Sequence, residues 1–230
     1  MATQAEINAH DQLITNLAND FASGIESLLT SAVVALSSVD LADRVAVNAV
    51  FDDTRTYINS NIQGLDRLAI SNLGLNNIEP SSDLEAGVVN LKTASSNAMT
   101  VAVDEEVNTV IGELVTAALL GLGVAQIITS LSNRVPAMVT RLRRAYDQTL
   151  ITFTSVLTKI AGEQEQRRYK YAGGLIPTSR PFCSAHDGGI YTDKEITSIW
   201  SGTWEGKAPG DPFVVRGGYN CRHFFVLEGE

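Results

Sequence analysis

Tyr169-Lys-Tyr-Ala-Gly-Gly174, Ser179-Arg-Pro-Phe-Cys-Ser-Ala-His-Asp-Gly188 and Gly217-Gly-Tyr-Asn-Cys-Arg-His-Phe-Phe225 are three blocks in the last quarter of the chain, and its chemistry is concentrated in them. They hold both cysteines, Cys183 and Cys221, and two of the three histidines, His186 and His223. The order is C-x2-H, a gap of 34 residues, then C-x-H. Zinc takes thiolate and imidazole ligands tetrahedrally, so two such pairs brought together by a folded loop can form a structural site. The spacing is not that of a standard zinc finger. Two other readings stay open: cysteines as small buried hydrophobes with histidines bonded to loop carbonyls, or a Cys183–Cys221 disulfide.

Around these blocks the composition changes. Residues 166–230 take 10 of the 15 aromatics, 10 of the 18 glycines and 4 of the 6 prolines, which places a boundary near 168/169. The expectation is a mainly α protein: an extended helical body over 1–168 and a small α+β domain over 169–230. A domain of about 60 residues buries little of its surface and often needs a staple, which a Cys/His-bound metal would supply. Within it, Asp193 to Trp200 reads as a capped short helix. Ile190-Tyr-Thr, Phe213-Val-Val and Phe224-Phe-Val-Leu read as small strands, with Trp200, Trp204, Phe213, Phe224 and Phe225 as core.

Upstream, apolar residues recur at helical spacing. Ile7, Ile14, Phe21, Leu28 and Ala35 step by seven, with Leu13 and Leu17 beside them, and predict a helix over 3–37. His10 sits beside that stripe and is expected at the surface or bundle edge. A second helix is expected from Leu41 to Leu73, capped by Ser38 or Asp40, carrying Val45, Phe51, Ile58, Ile62, Leu65 and Leu68, and ended by Gly74, Asn76, Asn77 and Pro80. Ser82-x-x-Glu85 reads as a capping box opening a third, with a break expected in the Ser/Thr-rich stretch Thr93 to Thr100. Pro136 marks a boundary before a last helix from Ala137 to Lys170. A bundle is expected rather than a coiled coil, because charge pairing at flanking positions is poor.

Leu114 to Asn133 contains no charged residue. Its length suits a membrane span, but its polar residues and short apolar centre favour a buried bundle helix, with Gly121 and Gly123 permitting close contact. Insertion of Leu114 to Ile128 into a bilayer stays as the alternative.

The net charge of −9 is carried by the helical part: residues 1–165 hold 9 basic against 19 acidic residues, residues 166–230 hold 8 against 7. That argues against broad nucleic-acid binding, which wants a positive footprint. The N-terminus lacks a basic, then apolar, leader pattern, so no signal peptide is expected and the chain is expected to be made in the cytosol, where disulfides are rare. A Cys–His hydrolase would use His186 or His223 as base and Asp187 or Asn220 to orient it, yet no familiar nucleophile context surrounds either cysteine. Arg180 and Arg222 are expected to pair with Asp187, Asp211 or backbone carbonyls.

The blocks Y-x-Y-x-G, S-R-P-F-C-x-x-H-D-G and G-G-Y-N-C-R-H, over roughly residues 145 to 227, resemble the C-terminal signature of the Mu F-like head-morphogenesis proteins of tailed bacteriophages. The resemblance implies a minor head, portal-associated structural protein of the virion, made in the host cytoplasm and located in the head or at the head–tail junction. Its implied partners are portal or major capsid protein and copies of itself, close to packaged DNA, with no small-molecule substrate and no catalysis. The alternatives are a membrane-active virion protein ejected with the genome, and a Cys–His maturation hydrolase.

Overall fold

A computed structural model of the chain describes residues 2–60, 62–79, 81–165 and 167–228. The fold is mainly α, with a small antiparallel sheet toward the C-terminal end. Its elements are α1 (Gln4–Ala35) with a 3-10 turn (Leu36–Ser38), α2 (Arg44–Ala49), α3 (Asp52–Ser60), α4 (Ile62–Asn76), α5 (Ser82–Leu119), α6 (Val124–Glu165), β1 (Tyr169–Ala172), α7 (Pro181–His186), β2 (Ile190–Tyr191), α8 (Asp193–Trp200), α9 (Pro212–Val215) and β3 (Phe224–Leu227).

Ile7, Ile14 and Phe21 of α1 are buried, but burial then passes to Ile25, Leu29, Ala32 and Leu36, leaving Leu28 half-buried and Ala35 exposed. A straight helix drifts by about 20° per heptad, so steps of four take over from steps of seven. This is the stripe of a bundle helix, and each fully buried Ile, Leu or Phe stabilises by about 1.5–3 kcal/mol. By length and composition α1 is also apolar enough to cross a membrane; core helices meet the same test.

His10 corrects the surface expectation: it is 1% exposed. Its Nδ1 lies 2.8 Å from Ser71 Oγ on α4 and its Nε2 3.1 Å from Thr154 Oγ1 on α6. Two hydroxyls satisfy the imidazole and let it enter the core.

The single helix expected over Leu41 to Leu73 starts later, at Arg44, and is interrupted between Ala49 and Asp52. Asp43, not Ser38 or Asp40, caps α2, accepting from the Val45 and Ala46 amides. Arg55 of α3 then donates to the Asn48 carbonyl at 3.2 Å and to its Oδ1 at 2.8 Å. The Asn48 carbonyl thus accepts from Arg55 and from the Phe51 amide at 3.1 Å, not from the amide a continuing helix would present, and Val45 is left 79% exposed. The Ile62 side chain and Pro80 lie outside the described residues.

Helix α5 runs unbroken through Thr93 to Thr100. The Thr93 and Thr100 hydroxyls donate to the carbonyls of Val89 and Ser96 in their own helix, so they do not compete for the backbone elsewhere. Its first turn is capped by Ser81, which accepts from Leu84 N at 3.3 Å. Helix α6 continues through Pro136. Ser132, whose carbonyl loses its partner to the proline, is exposed to water. The helix stops before Lys170, because Tyr169 and Lys170 belong to β1, a conformation aromatic side chains favour. Phe213-Val-Val forms a helical turn, not a strand: Asp211 accepts from Phe213 N at 2.8 Å and Pro212 presets the first φ.

Leu114 to Asn133 is not one buried helix. Gly121, at φ +74°, ends α5, and Leu120 N, Gly121 N and Leu122 N bond back to Thr116, Ala118 and Ala117 carbonyls. The segment is the tip of a helical hairpin, with Leu119 81% and Leu120 74% exposed. A Cβ at Gly121 would meet nothing within 4 Å, so this glycine serves the turn and not a helix contact.

The chain forms two compact units, one of Met1–Asn16, Gln63–Ser95 and Asp147–Glu230, the other of Leu17–Ile62 and Ser96–Tyr146. Neither has an edge at 168/169. The composition shift marks where long helices give way to short segments, but those segments pack with earlier parts of the first unit. There, Asn76 Oδ1 accepts from Leu227 N, and Asn76 and Asn72 both bond Thr158. In the second unit Phe21 stacks on Tyr146 at 4.3 Å and on Tyr57 at 6.0 Å, and Arg55 pairs with Asp104 at 2.8 Å.

Candidate metal centre

β1 is the middle strand of the sheet, in the order β2-β1-β3, with Tyr171 opposite Phe225 and Tyr169 opposite Leu227 and Tyr191. It places the Tyr171 ring in the core, 5.3 Å from Trp200 and 5.2 Å from Phe225. Of the expected core aromatics, Trp200, Phe213, Phe224 and Phe225 are buried, while Trp204 is half-buried and stacks on Phe182 at 3.8 Å. Helix α7 begins at Pro181 and carries Cys183 inward. The turn Gly217–Asn220, with Asn220 at φ +57°, delivers Cys221, and His223 follows just before β3.

These three side chains meet. Cys183 Sγ and Cys221 Sγ are 3.9 Å apart, Cys221 Sγ and His223 Nδ1 are 3.8 Å apart, and all three donor atoms lie within 4.8 Å of one another. A tetrahedral zinc with its usual bond lengths has S···S edges of about 3.8 Å and S···N edges of about 3.5 Å. The donor set and two of its edges therefore suit zinc. At 3.9 Å the sulfurs are not bonded to each other, and both cysteines are free.

His186, the fourth residue of the sequence constellation, is not in this group. Its Nδ1 lies 2.9 Å from the Tyr191 hydroxyl and its ring packs 4.5 Å from Phe182. Burial lowers its pKa, so it stays neutral there. The C-x2-H spacing falls within α7 and its end, where residues three apart share a face, but Tyr191 on β2 offers the imidazole a nearer partner.

The histidine that does join, His223, is held on both sides. Its ring stacks on Tyr171 at 4.6 Å, and its Nε2 lies 3.1 Å from Asp187 Oδ1. The carboxylate accepts from Nε2–H, which directs the Nδ1 lone pair toward the sulfurs. The two thiols share a proton unequally. The thiol hydrogen bond between them holds it on Cys183, whose pKa is raised, and lowers that of Cys221, with burial opposing and His223 and Tyr171 assisting. Burial keeps the Tyr171 phenol protonated, and its oxygen lies 3.2 Å from Cys221 Sγ.

Of three further residues at the site, only Arg216 was not named in the sequence. Tyr171 was visible only as part of Y-x-Y-x-G. Gly217 is demanded by space: a Cβ there would collide with Cys183 Sγ, Cys221 Sγ and the Tyr171 hydroxyl. Arg216 is 2% exposed at φ +48°, donating to Thr152 Oγ1 at 2.8 Å and Gln148 Oε1 at 3.0 Å. Burial lowers its pKa and the neighbouring Cys221 opposes this. A cavity of about 330 Å³ touches all three donors and is also lined by Arg180, Asn220 and Arg222. Arg180 donates to the Tyr219 carbonyl at 2.7 Å. Arg222 bonds Asp147 at 3.1 Å, Asp11 at 2.9 Å and Thr15 at 3.0 Å, not Asp187 or Asp211.

No protein-family model matches the chain, and neither curated proteins nor solved structures give a match.

Proposed function

We propose that the chain is a structural protein of a tailed-bacteriophage particle, a minor head or neck component that assembles with portal or capsid protein and with copies of itself. The observation that carries this reading is convergence. The R-P-F-C and N-C-R-H blocks, which carry the resemblance to Mu F-like proteins, are far apart in sequence yet supply Cys183, Cys221 and His223 to one buried cluster. A motif that folds into its own staple has a structural reason for its residue types. In this reading Cys183, Cys221 and His223 would hold a zinc ion, which would tie the turn Gly217–Asn220 to α7. When bound, the metal supplies cross-linking; the remaining surfaces supply assembly contacts.

Co-expression with a tailed-phage portal protein and major capsid protein tests the assembly role: the chain is expected to sediment with particles. Native mass spectrometry with and without a chelator tests the staple, with one zinc per chain expected. A chain that stays with neither particles nor portal removes the virion reading, whatever its metal content.

The order Cys221, His223, Asp187 favours a second reading, a thiol hydrolase, since it matches nucleophile, base and orienting carboxylate. Rapid alkylation of Cys221 in the folded, metal-free protein, with loss of a particle-processing activity, would support it.

A further inference from the structure

We infer that the hairpin tip between α5 and α6 is a lipid-inserting element that enters one leaflet of a bilayer. Leu119, Leu120, Leu122 and Val124 are 81%, 74%, 49% and 44% exposed on the two sides of Gly121. Leu119 closes α5, and the next amide, that of Leu120, still bonds the Thr116 carbonyl as in a helix, so the two side chains point about 100° apart. A groove on a partner protein takes one face of a helix, whereas lipid solvates every side of a protruding tip.

The tip is bounded by charge. No charged residue occurs between Glu113 and Arg134, and these two form an ion pair across the arms. The shorter arm, Leu114 to Leu119, rises about 9 Å. That matches the roughly 5–10 Å depth of interfacial insertion and falls far short of the ~30 Å of a spanning helix. Three of the six polar side chains inside this boundary are satisfied by the hairpin itself. Thr116 and Thr129 hydroxyls donate to the Gly112 and Ala125 carbonyls at 2.8 Å, and Ser132 to Ile128 at 2.9 Å. The turn amides of Leu120, Gly121 and Leu122 are bonded internally. Between the arms an open groove of about 330 Å³ is walled by Leu114, Ala117, Leu122, Ile127 and Leu131, with Gln126, Ser130 and the Glu113–Arg134 pair also lining it. Below the tip Asp104, Glu105 and Glu106 on α5 balance Arg141, Arg143 and Arg144 on α6, with Arg141 paired to Glu106, so the shaft offers little net charge to anionic headgroups.

The test is flotation of the full chain with vesicles of zwitterionic phosphatidylcholine, and again with anionic lipid included. Binding is expected to both, with little loss at high salt. Leu120→Asp is expected to reduce the bound fraction by roughly tenfold or more, since a charge enters the leaflet. Ile70→Asp, at a site 73% exposed elsewhere, is expected to change nothing. Both variants alter exposed side chains, and circular dichroism confirms that each folds. Failure of the wild-type chain to float, or equal flotation of Leu120→Asp, overturns the inference. So does a self-association that Leu120→Asp abolishes without vesicle binding, which would make a second copy the occupant. Particle assembly is read separately, so this result and that of the virion proposal stand apart.

Discussion

Asp187 Oδ1 lies 3.1 Å from Nε2 of His223, across the imidazole from the nitrogen that faces Cys221. Outer partners of metal-ligating histidines set their tautomer, and losing one weakens metal binding by about 10–100-fold. Asp187→Asn should show a loss of that size in competition with a chromophoric chelator. His186→Gln should not, because that imidazole is engaged with Tyr191. Equal losses in both variants would return His186 to the ligand set.

Gly217 and Gly112 make a matched pair. A methyl at Gly217 would enter the space held by Cys183, Cys221 and Tyr171, whereas one at Gly112, inside α5, meets nothing within 4 Å. Gly217→Ala is expected to destabilise by about 1–3 kcal/mol through overpacking and to abolish metal uptake. Gly112→Ala is expected to stabilise by about 0.5–1 kcal/mol, the helix-propensity difference. Urea titrations of the two variants give both signs.

His10 gives the fold an acid sensitivity. Burial lowers its pKa to about 4, against about 6.5 in an unfolded chain. The unfolded state therefore binds the proton first. Stability from the neutral imidazole is complete above about pH 6.5 and is lost as pH falls toward 4, by about 3 kcal/mol in all. His10→Gln should flatten that part of the profile. A urea midpoint that falls equally in both proteins between pH 6.5 and 4 would sink the assignment.

Helix content, the sheet strands at Ile190-Tyr191 and Phe224–Leu227, and helix Asp193–Trp200 were all legible, because each is announced by local periodicity or a cap. What was not legible depended on partners distant in sequence. Arg55 divides one apolar stripe into separate helices by reaching back to Asn48 and across to Asp104. His10 is buried only because Ser71 and Thr154 arrive. The two cysteines and His223 were nominated correctly as candidates for one cluster, but His186 carried the same local signal and left for Tyr191. Spacing along the chain names residues able to bind; the neighbour that arrives first in space selects among them.

Arg222 bridges Asp11 on α1 and Asp147 on α6, and the Asp147 side chain is only 11% exposed. Arg222→Met keeps the aliphatic stem but leaves that carboxylate without this counter-charge. The half-exposed arginine places the cost at about 2 kcal/mol, below that of a fully buried pair. Adding Asp147→Asn should recover part of it, and a double-mutant cycle of thermal unfolding measures how much. Additive losses would mean the pair contributes nothing.

The first unit draws on Met1–Asn16, Gln63–Ser95 and Asp147–Glu230, and its middle strand, Tyr169–Ala172, pairs along one edge with Phe224–Leu227. During synthesis, α1 leaves the ribosome long before that strand edge can be covered. A nascent chain therefore carries a half-built core through most of translation, and from the emergence of Ala172 until that of Phe224 the edge of β1 is bare as well; bare edges are what aggregation and chaperones act upon. The second unit, complete once Tyr146 has emerged, can fold while the first is still waiting for its last strand.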